Sequence, residues 1–184
     1  MLKNKFKISF ITFAILGLSI TANAQITGAD QASFDFENGS PEHWTQMKGF
    51  ESSTEQVASG EKSMKVAFDD YSNVGKGPKL QSFRGKAAAP GFFDLKAGTY
   101  EMSVKVYTEG EVPRFLQISL SGPAKVNSKF DDLDKQAKNS WQTLTSTFTI
   151  DKDAKKNWLS VSFFVFPKSG SGTVYIDDFK ITQK

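Results

Sequence analysis

Past its first two dozen residues, this chain carries no apolar period of 3.6 long enough for a helix. Apolar residues recur instead at every second position, and a chain patterned that way has to pair as strands. Tyr100, Met102, Val104 and Val106 alternate with Glu101, Ser103, Lys105 and Tyr107. Leu116, Ile118 and Leu120 alternate with Phe115, Gln117 and Ser119. Leu144, Ser146, Phe148 and Ile150 alternate with threonines 143 to 149. Leu159, Val161, Phe163 and Val165 alternate with Trp158, Ser160, Ser162, Phe164 and Phe166. Shorter strands are expected at 63–68, 79–84 and 92–95, with Gly, Pro, Asn and Asp between strands. About ten short, closely spaced strands predict an all-β fold, an antiparallel two-sheet β-sandwich of jelly-roll type. The polar stretch Asn127–Ser140 is expected to hold at most a helical turn.

Residues 1–24 read as a signal peptide. Lys3, Lys5 and Lys7 precede the apolar run Ile8–Ile20, and Ala22-Asn23-Ala24 is a small-x-small cleavage site. The run is too short for the roughly 20 residues of a spanning helix. With no Cys there is no lipobox-type cysteine and no disulfide. An exported, released protein is expected, periplasmic or extracellular and without membrane insertion. Residues 25–184 suit a single domain. Those three lysines account for the excess of 23 basic over 20 acidic residues, so the remainder is formally neutral. No Lys/Arg run interleaves with aromatics, so nothing points to nucleic acid. His43 is the only histidine, which excludes a Cys–His nucleophile and leaves zinc short of ligands. A glycosidase needs only two facing carboxylates. The reading taken is nevertheless non-catalytic, because a jelly roll uses nearly the whole chain.

The last strand carries two acids. Val174 and Ile176 share one face, while Phe179 and Ile181 alternate in the opposite phase, so a β-bulge is expected at Asp177-Asp178. Phe34-Asp35-Phe36-Glu37-Asn38-Gly39 reads as a second short apolar strand bearing acids. If first and last strands pair, these carboxylates converge, and a hard cation with oxygen ligands, Ca2+, fits between them. Solvated acids near a strand end are the alternative.

The order Phe36-Glu37-Asn38-Gly39, Trp44, Ser59-Gly60-x-x-Ser63-Met64-Lys65-Val66, Leu95-x-Ala97-Gly98-Thr99-Tyr100, Trp141-Gln142-x-Leu144 and Val174-Tyr175-Ile176-Asp177-Asp178-Phe179 resembles carbohydrate-binding modules of the families 4, 9 and 22 type. These are galactose-binding-domain-like jelly rolls. The resemblance implies a structural calcium. Its ligands would be the Glu37 and Asp177 carboxylates and the backbone carbonyls of Asp35, Ser59 and Lys62. It also implies that Trp141 packs in the core, and that a polysaccharide or oligosaccharide binds in a cleft lined by strands. The alternation itself turns Phe115, Gln117, Trp158, Phe164 and Phe166 outward, where exposed rings stack on the apolar faces of sugars. Tyr107 and Arg84 are expected to complete that surface, with Tyr71 at its rim. One of the adjacent Phe92 and Phe93 must also face out. A register shift of one residue would exchange the faces. An adhesion or structural jelly roll, and a small glycan-active enzyme, are the competing functions.

Overall fold

The computed structural model describes residues 31–34, 36–37, 46–71, 79–81 and 92–184. They form twelve strands: β1 (Gln31–Phe34), β2 (Gln46–Lys48), β3 (Glu51–Ser53), β4 (Ser63–Phe68), β5 (Lys79–Gln81), β6 (Phe93–Leu95), β7 (Gly98–Gly110), β8 (Phe115–Ser121), β9 (Val126–Phe130), β10 (Gln142–Ile150), β11 (Ala154–Phe164) and β12 (Gly172–Gln183). One sheet runs β10-β7-β12-β4-β3, with β1 beside the far half of β12. The other runs β2-β5-β11-β8-β9, with β6 beside the start of β11. Every pairing is antiparallel. This is the expected two-sheet jelly roll.

The inward alternation of both sheets fills one core. Met102, Val104 and Val106 of β7 and Val174 and Ile176 of β12 face Leu116, Ile118, Leu159 and Val161 of the second sheet, all essentially buried. Each such side chain stabilises the fold by about 1.5–3 kcal/mol through removal from water. Rings close the gap between the layers: Phe68 meets Phe163 edge-on at 5.7 Å, and Phe50 stacks on Phe163 at 5.9 Å.

Two irregularities set which side chains face where. The bulge expected in the last strand is present: the β12–β7 register shifts between Asp177 and Lys180, and Asp178 takes φ 46°. The extra residue returns Phe179 and Ile181 to the face already used by Val174 and Ile176, and all four are buried. At the end of β11 the expectation fails. Val165 adopts φ 56°, the strand stops at Phe164, and the alternation inverts. Val165, expected inside, is exposed, and Phe166, expected outside, packs on Phe68 and Tyr71.

β9 occupies the start of the stretch expected to hold a helical turn. The turn itself is the 3-10 segment Leu133–Lys135. Strand β1 pairs Gln31–Phe34 with Phe179–Thr182, so first and last strands do meet.

Candidate functional site

The outer face of the second sheet is built by the polar phase of β8, β9 and β11. Phe164 and Phe115 are direct cross-strand partners at one end, and Phe164 is 44% exposed. Trp158 lies opposite Ser121 at the other end, half-buried, with Phe92 edge-on at 6.4 Å. Six residues at about 3.3 Å each separate Trp158 from Phe164, roughly 20 Å along the strand. Between them the floor is low and polar: Gln117, half-buried, donates its amide N–H to the Ser119 hydroxyl at 3.0 Å, and Ser119 and Ser160 are 9% and 7% exposed. Phe92 rather than Phe93 is the partner that faces out, since Phe93 is buried.

Phe115 differs from a bare stacking platform. The Lys129 ammonium sits 3.5 Å from its ring centroid, and the Arg114 guanidinium lies at 5.1 Å. The ring quadrupole attracts both cations. Lys129 and Lys48, both exposed, belong to this face and were not among the expected residues. They lie on strands far apart in sequence, so no local run of charge marks them.

Tyr107 is a correction. It lies on β7, in the first sheet, and its ring meets Tyr175 at 5.9 Å and Trp141 at 5.6 Å on that sheet's outer face. The phase expectation was right, but the sheet was not: alternation tells in from out without telling which layer a strand joins. Trp141, expected in the core, is half-buried beside Tyr107 because the residue before Gln142 continues the outward phase of edge strand β10. Tyr71 is a second correction. It is 5% exposed, stacks on Phe68 at 5.2 Å and donates its hydroxyl to the Glu111 carbonyl at 2.8 Å. It is a core residue, not a rim residue. Arg84 lies outside the described residues, as do Asp35, Trp44 and His43.

At the joined ends, Glu37 and Asp177 converge on the loop 58–62. Asp177 is fully buried. Its Oδ2 accepts the N–H groups of Ala58 (2.9 Å) and Ser59 (3.2 Å), and its Oδ1 accepts that of Asp178 (2.7 Å). Glu37 accepts the N–H groups of Glu61 through both oxygens (3.0 and 2.9 Å) and of Lys62 through Oε1 (3.3 Å). Gly60, at φ 70°, allows this approach; a Cβ there would overlap the Glu37 carboxylate. Burial pushes the Asp177 carboxyl up, against the N–H groups that favour its anion, and the Asp178 charge adds to the rise. Burial would also raise Asp178, but hydrogen bonds from Lys105 (2.8 Å) and Ser59 (2.7 Å) outweigh it and hold that carboxyl below its ordinary range.

Ser59 and Lys62 thus meet the carboxylates with N–H groups. The Asp177 carboxylate has about four acceptor positions, and backbone N–H groups take three of them. Among the described residues, no three His, Cys, Asp or Glu side chains gather as metal donors. The rest of a calcium shell would be backbone carbonyls.

No protein-family model matches the chain, and no curated protein matches its sequence. Solved structures match its shape. A family 16 carbohydrate-binding module aligns with TM-score 0.55 and 14% identity over 88% of this chain and 100% of its own. The CBM22-1 xylan-binding domain from Paenibacillus barcinonensis aligns with TM-score 0.50 and 17% identity over 85% and 96%. A CBM61 in complex with β-1,4-galactotriose aligns with TM-score 0.54 and 14% identity over 82% and 94%. The class is therefore the antiparallel jelly-roll sandwich. Within that class, the chain has the fold of carbohydrate-binding modules, and identities this low speak to the fold alone. Among the described residues, no helix is long and apolar enough to cross a membrane.

Proposed function

We propose that this chain is an exported, non-catalytic carbohydrate-binding module that holds a polysaccharide or oligosaccharide on the outer face of its second sheet. One observation carries the reading: aromatic rings stand at both ends of that face, with an amide and hydroxyl floor between them. Rings take the C–H faces of sugars, and Gln117 and the serines exchange hydrogen bonds with hydroxyls. A span near 20 Å suits a chain of sugars better than a single ring. The fold shared with carbohydrate-binding modules supports the same reading. Affinity electrophoresis against soluble glucans, xylans, mannans and alginates tests it. Retention on at least one glycan is expected, without release of reducing ends. Trp158→Ala should weaken that retention by roughly tenfold, about 1.4 kcal/mol. Absence of retention across the panel would overturn the proposal, and release of reducing ends would replace it with an enzyme.

Calcium at the terminal clasp belongs to the same reading. Glu37 and Asp177 would supply carboxylate oxygens, and the ion would tie β1 to β12 and to loop 58–62 away from the sugar. Its chemistry is structural. Calcium added to EDTA-treated protein should raise Tm; an unchanged Tm together with no heat of binding would refute it. Export is tested by finding the chain outside the cytoplasm with Gln25 as its first residue.

A further inference from the structure

We infer that β10 is a pairing edge for a second copy of this chain, and that two molecules join there into one continuous sheet about a twofold axis. β10 ends the first sheet beyond β7. It is nine residues long, runs in unbroken register with β7, and contains no charge, no Pro and no Gly. The other outermost strands among the described residues, β1, β2, β3, β6 and β9, are three to five residues long, and all but β1 carry a charged side chain. Short length and charge keep a sheet edge from pairing with another chain, and β10 has neither. Among the described residues, its main chain is hydrogen-bonded to β7 alone.

The free main-chain groups belong to the threonines. The Thr99 carbonyl is taken on the β12 side by the Lys184 N–H (2.9 Å), and the Thr108 carbonyl on the β10 side by the Asn139 N–H (2.9 Å). Bonding direction alternates along a strand, so the even-numbered residues of β7 bond to β10, and their partners in β10 are even-numbered too. Thr143, Thr145, Thr147 and Thr149 therefore turn their N–H and C=O groups to the open edge, and their side chains are exposed. The segment is also symmetric about Ser146: Thr145 mirrors Thr147, Leu144 mirrors Phe148, and Thr143 mirrors Thr149. An antiparallel copy centred on Ser146 makes each of these a cross-strand pair, and the threonine pairs exchange about eight main-chain hydrogen bonds.

A second copy fits this edge better than an unrelated extended segment, because only self-pairing uses the symmetry. Threonine hydroxyls already meet across this sheet, Thr99 with Thr149 at 3.2 Å, and such pairs favour strand association. Leu144 and Phe148, partly buried against the core, would cover each other at the join. Pairing uses up the edge of each copy, so the assembly closes at two. An edge about 30 Å long buries less than the ~800 Å² per partner of a standard interface, so the dimer belongs to the weak, reversible class. The twofold axis is normal to the first sheet, which leaves both second sheets on the same side. On the carbohydrate reading above, the dimer presents two glycan faces in one direction, and a long polysaccharide can engage both.

Sedimentation equilibrium of the protein without glycan tests the pairing. Its mass should rise from one chain towards two between about 1 and 100 μM. The T145K/T147K variant sets like charges opposite one another across the axis and should weaken association roughly tenfold. Its Tm should stay unchanged, because both positions are exposed. The T145E/T147K variant sets opposite charges across the same register and should restore association. A chain that stays monomeric throughout overturns the inference. So does a dimer that T145K/T147K leaves intact, which places the interface elsewhere, and so does one that both variants disrupt equally, which excludes the register. Retention on a glycan polymer should fall roughly tenfold in T145K/T147K, while binding of a short oligosaccharide stays equal. Equal retention of the polymer would overturn the bivalent grip and leave the dimer standing. Absence of glycan binding in every form would remove the carbohydrate reading and the grip with it, the dimer being decided by sedimentation alone.

Discussion

Asp177 and Asp178 are neighbours with opposite environments, and each tests the clasp differently. Asp177 is held by three backbone N–H groups. Asp177→Ala leaves those donors short of an acceptor and should lower unfolding stability by about 3 kcal/mol in urea titrations. Asp178 has its carboxyl held down by Lys105 and Ser59. A depressed carboxyl adds stability above the ordinary carboxylate range and loses it as pH falls through the folded-state value. The Tm difference between the native chain and Asp178→Asn should therefore be largest near neutrality and shrink on acidification; a constant difference would contradict the pairing. Tyr71 makes a separate case. Burial raises its phenol above the usual range, with the Glu111 charge adding to the effect. Tyr71→Phe should cost about 1 kcal/mol through loss of one hydrogen bond and leave glycan retention unchanged.

At the scale of elements, bulges decide what a strand presents. The break at Asp177-Asp178 was legible because apolar pairs of opposite phase flank it, and only an inserted residue reconciles them. The inversion at Val165 was not legible: a β-branched residue at positive φ is uncommon, and nothing in Phe163-Phe164-Val165-Phe166 breaks the apolar run. A second bulge near the start of β11 turns Asn157 into the interior, where Nδ2 donates to the carbonyls of Ala154 (2.7 Å) and Phe93 (3.3 Å) and Oδ1 accepts the Ala124 N–H (3.0 Å). One side chain thus joins β6, β11 and the loop before β9. Asn157→Ala should cost about 3 kcal/mol by leaving these buried groups unpaired, measurable as a lower urea midpoint. β9 escaped the sequence reading because its inward positions are Ser128 and Phe130 among polar residues, too weak an alternation to distinguish from a loop.

At the scale of the whole molecule, the aromatics divide between two outer faces. Tyr107 and Trp141 stand on the first sheet, while Trp158, Phe115 and Phe164 stand on the second. Tyr107→Ala and Trp141→Ala should leave glycan retention within about twofold of the native chain, whereas Trp158→Ala should not; equal losses from both faces would place the site elsewhere. The sequence by itself determined the layer class and the inward and outward phase of most of the long strands, because period-two alternation is a local property written along each segment. Only the tertiary structure decided which sheet each strand joined, that Tyr71 is sealed in the core, and that β10 stands at a sheet edge. Those facts depend on cross-strand register between segments dozens of residues apart, which no local pattern encodes.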